Sequence, residues 1–319
     1  MSSHTIPPLP FIVSRLRTRQ LQLLIALDEH GSLHRAAERV SISQPGATKA
    51  LHEIESTFGT QLFNRTSQGL QANDLGRCVI RYARLIHSDL AHLREEMLGI
   101  LQGHGGHLAV GSIAGSVPLV LRALTELRQI QPDISVQIVE DISPRLLKLV
   151  DEGRLDLAIA RTSGSQQPDA YQCLSLHPER LALVANPQHQ HQQNPALSLA
   201  QLSLHSWVVY PIGTPMRTVL EREFSEAGLE FPRYPLETSS TFTMLSLLQE
   251  DPGLIAVMPN SIACSSEGFG LLRRLPLELR SRNEPCAIIH RRGAKLSPLA
   301  QLLLERLRDQ QEQEALLGD

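Results

Sequence analysis

The chain has 319 residues, of which 42% are apolar and 20% charged, with a formal net charge of −3. That length exceeds one ordinary small domain, and the composition is that of a globular protein rather than a disordered or membrane-spanning one. Aromatic residues make up only 4%, which argues against stacking platforms for single-stranded nucleic acid, although a small basic face on one domain is compatible with the negative total.

At the N-terminus, "PPLPFIV" is short, broken by proline and followed by Arg15, Arg17 and Arg19, unlike a secretory signal. The three arginines read as a solvated tail with some capacity to attract phosphate. No apolar run reaches membrane-spanning length, so no membrane partner is expected and the expected location is the cytoplasm. Cys78, Cys173, Cys264 and Cys286 are widely spread, without CxxC or zinc-finger spacing. They read as buried small hydrophobes in a reducing compartment.

Residues 15–77 read as short helices with tight turns. Ser32 is placed to cap "LHRAAERV" and Ser43 to cap the helix that follows. Pro45 fits the first turn of that second helix, where its missing N–H is harmless. Only "SIS" connects the two, so they cross steeply, as in a helix-turn-helix. Ala36 and Ala37 are small where the helices approach. Val40, Ile42, Ala47, Leu51 and Ile54 are expected beneath, with Leu24, Leu27, Leu62 and Phe63. That leaves Gln44, Gly46, Thr48, Lys49 and His52 outward. Gln pairs with adenine, Thr touches a thymine methyl, and Lys reaches guanine or phosphate. A solvated helix face has the same pattern, so spacing alone leaves both readings open.

One long helix is predicted over 74–102, capped by Asn73 and ended by "GHGG" at 103–106. Val79, Ala83, Ile86, Leu90, Leu93, Met97 and Leu101 form a heptad-like stripe, which suggests a dimer seam. From His107 onward strands and helices alternate. "HLAVGS", "ISVQIVE" and "LDLAIAR" are strand-like, with "VPLVLRALTELRQIQ" and "PRLLKLVDEG" helical between them. This order implies a parallel sheet with right-handed crossovers. The alternation resumes through "RLALVAN", "SWVVY", "TPMRTVLEREFSEAG", "TFTMLSLLQE" and "GLIAVMP", and ends with "EPCAIIH" and a helix from about residue 297. Two α/β lobes joined near 161–170 and 265–285 fit this better than one sheet. "PQHQHQQNP" at 187–195 reads as an exposed loop. His189 and His191 lie in it with no third ligand in view, so no metal site is expected.

Ligands of open α/β sheets sit beyond the carboxyl ends of strands, where helix N-termini favour anions. Hydroxyls recur at such junctions here. Ser112, Gly115 and Ser116 follow the first strand, and Ser143 follows the second and is placed to cap the next helix. "YPIGTPM" places Tyr210, Pro211 and Thr214, and "ETSSTFT" places Thr238 and Ser239. Helix capping alone explains any one of them; their convergence from both lobes suggests a polar cleft. Arg161, near the expected hinge, suits either an anionic effector or a lobe–lobe ion pair. No GxSxG, Walker loop, GxGxxG or HExxH occurs, so no enzyme activity and no cofactor are expected. A transport-type binding protein is disfavoured by the attached helix pair.

The run "LQLLIALDEHGSLHRAAERVSISQPGATKALHEIESTFGTQLFNR" resembles the N-terminal domain of LysR-type transcriptional regulators. Gly31-Ser32, Ala36-Ala37, Ser43-Gln44-Pro45, Thr48-Lys49, Leu51, Glu55, Gly59, Leu62-Phe63 and Arg65 carry the resemblance. It extends over nearly the whole chain, and the wording is most similar to the branch regulating sugar and aromatic-compound metabolism. The resemblance implies an α + α/β architecture in three parts. Residues 1–73 are a winged helix-turn-helix DNA-binding domain and 74–102 a linker and dimerisation helix. Residues 107–319 are a two-lobed, periplasmic-binding-protein-like effector domain, with lobe I about 107–165 plus 282–319 and lobe II about 166–281.

The resemblance assigns Ser43, Gln44, Pro45, Thr48, Lys49 and His52 to the recognition helix and Arg65 to the start of the wing. It supports effector contacts after the first strand, at Ser143 and at 211–214. The wing departs from the pattern, with Ser67 and Gln68 where a basic residue is frequent and Ala72-Asn73 where Leu-Thr is usual. Its implied partners are double-stranded promoter DNA, a small carboxylate or sugar-derived effector, and the chain itself as homodimer or homotetramer. RNA polymerase is a further candidate partner for a promoter-bound regulator.

Overall fold

Arg19, Ser41 and a buried cluster of alanines hold the first helices in place. The computed structural model describes residues 6–67, 69–102, 105–163, 168–178, 180–191, 194, 196–281 and 283–317. Gln68 of the wing, half of "GHGG" and parts of 161–170 and 187–195 lie outside these. The chain divides into two units, Met1–His107 with Lys148–Arg154, and Leu108–Leu147 with Leu155–Asp319.

In the first unit, α1 (Leu9–Arg15), α2 (Thr18–His30), α3 (Leu33–Arg39) and α4 (Gln44–Phe58) precede a small hairpin. Leu23, Leu24 and Leu27 of α2, Ala36 and Ala37 of α3, and Ala47 and Ile54 of α4 make one core with Leu62 and Phe63. Each buried leucine contributes about 1.5–3 kcal/mol. The N-terminal arginines are exposed, but Arg15 and Arg19 lie in helices rather than in a tail. Arg15 lies in α1 with its guanidinium 4.4 Å from the Phe11 ring centroid. Arg19 lies in α2 and donates to the carbonyls of Val40 (3.0 Å) and Ser41 (2.9 Å). Those are carbonyls the end of α3 leaves without helical partners. Ser41 turns the chain between α3 and α4 with a φ of 53°, a left-handed conformation that disfavours any Cβ. Ser32 occupies the position before α3, but its side chain makes no capping bond.

β1 (Phe63–Thr66) and β2 (Gly69–Ala72) pair antiparallel, with Arg65 opposite Leu70. The hairpin is fixed at its base by Glu55, whose Oε1 accepts the Leu62 (2.8 Å) and Phe63 (3.3 Å) amides. The Leu70 amide donates to the Gly31 carbonyl (2.9 Å). That approach requires glycine at 69, where a Cβ would stand 2.3 Å from the Gly31 oxygen.

α5 (Asp74–Gln102) starts where the Asn73 side chain accepts the Gly76 amide (2.8 Å). Its first turns pack on α2, and Arg84 donates to Asp28 (2.7 Å) and Glu29 (3.1 Å). The expected seam divides there. Ala83 is fully buried and Val79 packs on the helix-turn-helix core, so both serve their own domain. Tyr82 instead joins Ile86, Leu90, Leu93, Met97 and Leu101 as an exposed apolar stripe.

The rest of the chain, which apart from His107 and the end of α7 is the second unit, begins with β3 (His107–Ser112), a 3-10 turn at Ala114–Ser116, α6 (Val117–Ile130), β4 (Ser135–Glu140), α7 (Ser143–Asp151), β5 (Leu157–Ala160) and β6 (Tyr171–Ser175). β7 (Leu181–Ala185), α8 (Leu199–Leu202), β8 (Ser206–Val209), α9 (Pro215–Glu226), β9 (Leu236–Glu237) and α10 (Thr241–Glu250) follow. β10 (Leu254–Pro259), α11 (Asn260–Gly268), β11 (Arg273–Glu278), β12 (Ala287–Arg291) and α12 (Pro298–Leu317) complete it. The strands form two five-stranded sheets, ordered β4-β3-β5-β12-β6 and β11-β7-β10-β8-β9.

Both sheets are mixed rather than parallel throughout. β3 pairs parallel with β5, whereas β12 runs antiparallel to β5 and to β6, because the chain re-enters the first lobe from the second. The lobe boundary also differs from the expected 165/166. Tyr171–Ser175 is the edge strand of the first sheet, and the second lobe begins after it. The weak apolar alternation of "YQCLS", a strand half open to solvent, hides it in the sequence. Of the four free cysteines only Cys286 is buried; Cys78, Cys173 and Cys264 are exposed, on the solvent sides of α5, β6 and α11.

Gly76 tests the α5 junction. A Cβ there would stand 2.1 Å from the Leu62 carbonyl oxygen, so Gly76→Ala should lower unfolding free energy by about 2–3 kcal/mol through backbone displacement. Ser41→Gly should raise it by up to about 1 kcal/mol by relieving the left-handed turn. Chemical denaturation of both variants, with unchanged denaturant slopes, checks the pair.

Candidate functional site

The opening of α4 presents a polar surface because its inward positions are small or apolar. Ala47 and Ile54 are fully buried, which turns the positions between them outward at helical spacing. Gln44, Pro45, Thr48, Lys49 and His52 line one open surface. Ser43 caps this helix as expected, its hydroxyl accepting the Gly46 amide (3.2 Å). Gly46 has an internal reason to be small, since a Cβ would stand 3.2 Å from Ser43 Oγ. Thr48 Oγ1 donates to the Gln44 carbonyl (3.1 Å), so its own helix binds the proton and its lone pairs remain for another donor. Arg65 is exposed on β1.

The hydroxyl-rich junctions of the second unit all fall between a strand and a helix. Ser112 is fully buried at the end of β3, its hydroxyl bonded to the Ile113 carbonyl (2.9 Å). Gly115 and Ser116 lie in the buried 3-10 turn before α6. Ser143 differs from expectation. It is the first residue of α7, whose opening amides at Arg145 and Leu146 bond to the Ile142 carbonyl, and its hydroxyl accepts the Arg161 amide (3.0 Å). The two chain ends after β4 and β5 are thereby joined. Arg161 itself is 8% exposed and donates through Nε to the Glu284 carbonyl (3.2 Å) on the segment returning to the first lobe.

In the second lobe Thr214 caps α9, accepting the Arg217 amide (3.4 Å) and donating to the Pro211 carbonyl (2.8 Å). Thr238 continues β9, its amide donating to Val209 and its hydroxyl accepting the Ser240 amide (3.1 Å). Ser239 is exposed beside it. The lobes touch at a junction the sequence did not single out: Ser261 of α11 donates to the Gly115 carbonyl (2.6 Å), and Ala114 packs on the second lobe's core. "PNSIACSSEG" carried no helical signal strong enough to find it.

Two charged residues order these surfaces in ways the sequence did not assign. Glu55, part of the family resemblance but given no role there, is one, at the base of the wing. Arg217 is the other: buried in α9, it pairs with Glu221 (2.6 Å) and Glu237 (3.0 Å), and its guanidinium carbon lies 4.2 Å from the Phe231 ring centroid. It binds α9 to the strand ends that carry Thr214 and Thr238. The Arg217–Glu221 pair has i,i+4 helix spacing, whereas Glu237 and the amides held by Glu55 lie too far along the chain to be read from spacing.

Comparison with known proteins bears on both units. Residues 18–77 match the family described as bacterial regulatory helix-turn-helix protein, lysR family, and residues 101–312 match the LysR substrate binding domain. The HTH-type transcriptional regulator GbpR of Azospirillum brasilense is 32% identical over 310 residues, covering 97% of this chain and 90% of that protein. The HTH-type transcriptional regulator GalR of Pseudomonas putida is 28% identical over 303 residues, covering 92% and 73%. Among solved structures, full-length CbnR complexed with its target DNA superimposes with a TM-score of 0.60 at 19% identity, covering 92% of this chain and 99% of that one. A full-length OxyR variant from Pseudomonas aeruginosa gives 0.61 at 20%, covering 92% and 95%. These two likenesses show the fold.

Glu55→Ala should leave the Leu62 and Phe63 amides without their carboxylate and cost about 1.5–3 kcal/mol. Hydrogen exchange at those two amides should accelerate well before exchange in α2, whose contacts the substitution leaves intact.

Proposed function

The chain belongs to the LysR-type transcriptional regulators, a DNA-binding regulator with an effector-binding domain, and from that premise we propose how its own residues divide the work. The exposed α4 surface reads promoter DNA. Gln44 and Thr48 meet base edges, and Lys49, His52 and the Ser43-Pro45 turn fix the helix against the groove and its phosphates. Arg65 adds a phosphate contact from the wing. The single observation that carries this reading is the polar α4 surface standing outward over a fully buried Ala47 and Ile54. The structural relative CbnR was solved on its target DNA, which supports the same use of the fold here.

The effector is a small anionic metabolite held where strands give way to helices. Ser112, Gly115, Ser116 and Ser143 contribute from the first lobe, with Arg161 as the cation, and Pro211, Thr214, Thr238 and Ser239 from the second. The positive N-terminal ends of α6, α9 and α10 favour a carboxylate or sugar acid. Only an effector that binds one lobe arrangement more tightly than another changes the regulator's output. The exposed stripe from Tyr82 to Leu101 pairs with that of a second chain, which sets two recognition helices on neighbouring grooves. No catalytic role is assigned. The regulator works beside DNA in the cytoplasm, with RNA polymerase as a further partner at the promoter.

Mobility shifts on promoter DNA test the reading helix. Gln44→Ala should cost about 1–3 kcal/mol on the preferred sequence and relax selectivity, and Lys49→Ala should reduce the salt slope by about 0.9. Unchanged affinity in both variants, with folding retained, contradicts the assignment. For the effector, sugar acids and aromatic carboxylates should be screened by thermal shift on the full chain. A ligand at 100 times its Kd should stabilise by about 2.7 kcal/mol, and Arg161→Gln should remove most of that gain.

A further inference from the structure

α7 is divided between the two units. Residues 143–147 fall in the second, and Lys148–Arg154, which finishes the helix and makes the turn after it, falls in the first. Charge and one buried hydroxyl bind that turn there. Ser88 of α5 is 8% exposed and donates to the Gly153 carbonyl. A Cβ on Gly153 would stand 3.0 Å from Ser88 Cβ, so turn and helix touch closely. The Glu152 carboxylate faces Arg84 (3.7 Å), Lys148 (3.9 Å) and Arg154 (4.0 Å). Arg84, one turn before Ser88 on α5, also holds Asp28 and Glu29 at the end of α2. Burial works against its charge, but these carboxylates outweigh it and keep the guanidinium above its ordinary range.

We propose that Arg84, Ser88 and Glu152 are positioning residues that pass the effector signal to the DNA-reading unit, with α7 as the connecting rod. This rests on the assignment of Ser143 to the effector and of α4 to DNA. Ser143 opens α7 and accepts the Arg161 amide (3.0 Å), so the helix begins in the proposed effector junction. Its nine residues make a rod roughly 13 Å long, and its internal hydrogen bonds oblige the two ends to move together. A shift at Ser143 therefore reaches Glu152 and Gly153, and through them Arg84 and Ser88.

From Arg84 the contacts continue to the DNA side. Asp28 and Glu29 lie just before Gly31, whose carbonyl receives the wing's Leu70 amide (2.9 Å). Beside the cluster opens a cavity of about 410 Å³, bounded in part by Gln22, Arg39, Val40 and His87. Val40 ends α3, and its carbonyl is one of the two that Arg19 holds at the turn into α4. The Glu152–Arg84 contact thus stands at the edge of open space. A contact of this kind separates and reforms for the loss of a few ion pairs and one hydrogen bond. Two arrangements of one element, each biased by a different site, are what coupling between those sites requires.

Hydrogen exchange of the full chain, read by mass spectrometry with and without promoter duplex, tests the rod. Without duplex, Glu152→Gln and Ser88→Ala should each speed exchange at the Arg154 amide about 3- to 10-fold, the effect of one lost ion pair or hydrogen bond. Exchange should also quicken at the Arg161 amide, the reporter at the far end of α7, while β10 keeps its wild-type rates. Duplex binding to the wild-type chain should change exchange at the Arg161 amide by about 3-fold or more. The double variant should lose that change while still binding the duplex. If the variants do not fold, the wild-type comparison decides. Equal Arg161 exchange in the bound and unbound wild-type chain overturns the rod, as do variants that disturb Arg154 and leave Arg161 untouched. A chain that binds no duplex contradicts the α4 assignment instead, and the measurements without duplex then decide the rod.

Discussion

Close approach of α3 to α4 is the constraint on which the DNA-reading half depends. Ala36, Ala37 and Ala47 are all at most 1% exposed. A larger side chain at any of them would push the helices apart, at a cost of about 1–3 kcal/mol for overpacking. With Ala47 and Ile54 committed inward, helical periodicity leaves Gln44, Thr48, Lys49 and His52 nowhere but outward. The Ser43 cap and the left-handed Ser41 set where α4 starts, and Arg19 holds the turn between them by its exposed carbonyls. The polar surface proposed to read DNA is thus placed by packing on the opposite side of the same helix.

Much of this was legible in the residues, because the signals are local. Small residues at 36, 37 and 47, a serine-proline start at 43–45 and an apolar stripe at 79–101 each act within a few turns of helix. What could not be read acts across long sequence separations. Arg19 reaches carbonyls about twenty residues on, Glu55 accepts amides beyond the end of its helix, and Gly69 is required by an oxygen at Gly31. Val79 and Ala83 belong to the same apolar pattern as the exposed stripe, and only the position of α2 decides that they face inward. In the second unit the strands with continuous apolar runs, such as β5 and β10, were plain. The edge strand β6 was not, since half its residues face solvent and its partner β12 lies more than a hundred positions away.

The same split applies to the proposed effector junctions. Hydroxyl-rich turns after β3, β8 and β9 were visible in the sequence. Their present bonds are structural: Thr214 caps α9, Ser143 joins two strand ends, and Arg161 holds Glu284. These bonds fix the helix starts, whose positive dipole ends are the feature proposed to attract an anion. Arg217, buried with two carboxylates, makes the second-lobe side of this arrangement rigid. Burying its charge is tolerable only because the guanidinium is answered by carboxylates.

Hydroxyl-radical labelling of the chain, free and bound to promoter duplex, tests the central claim most directly when read by mass spectrometry residue by residue. Pro45, Lys49 and His52 should lose reactivity on binding, while side chains on the buried side of α4 stay unreactive in both states. Specific binding in the same sample with those three residues still fully labelled would show that another surface holds the DNA.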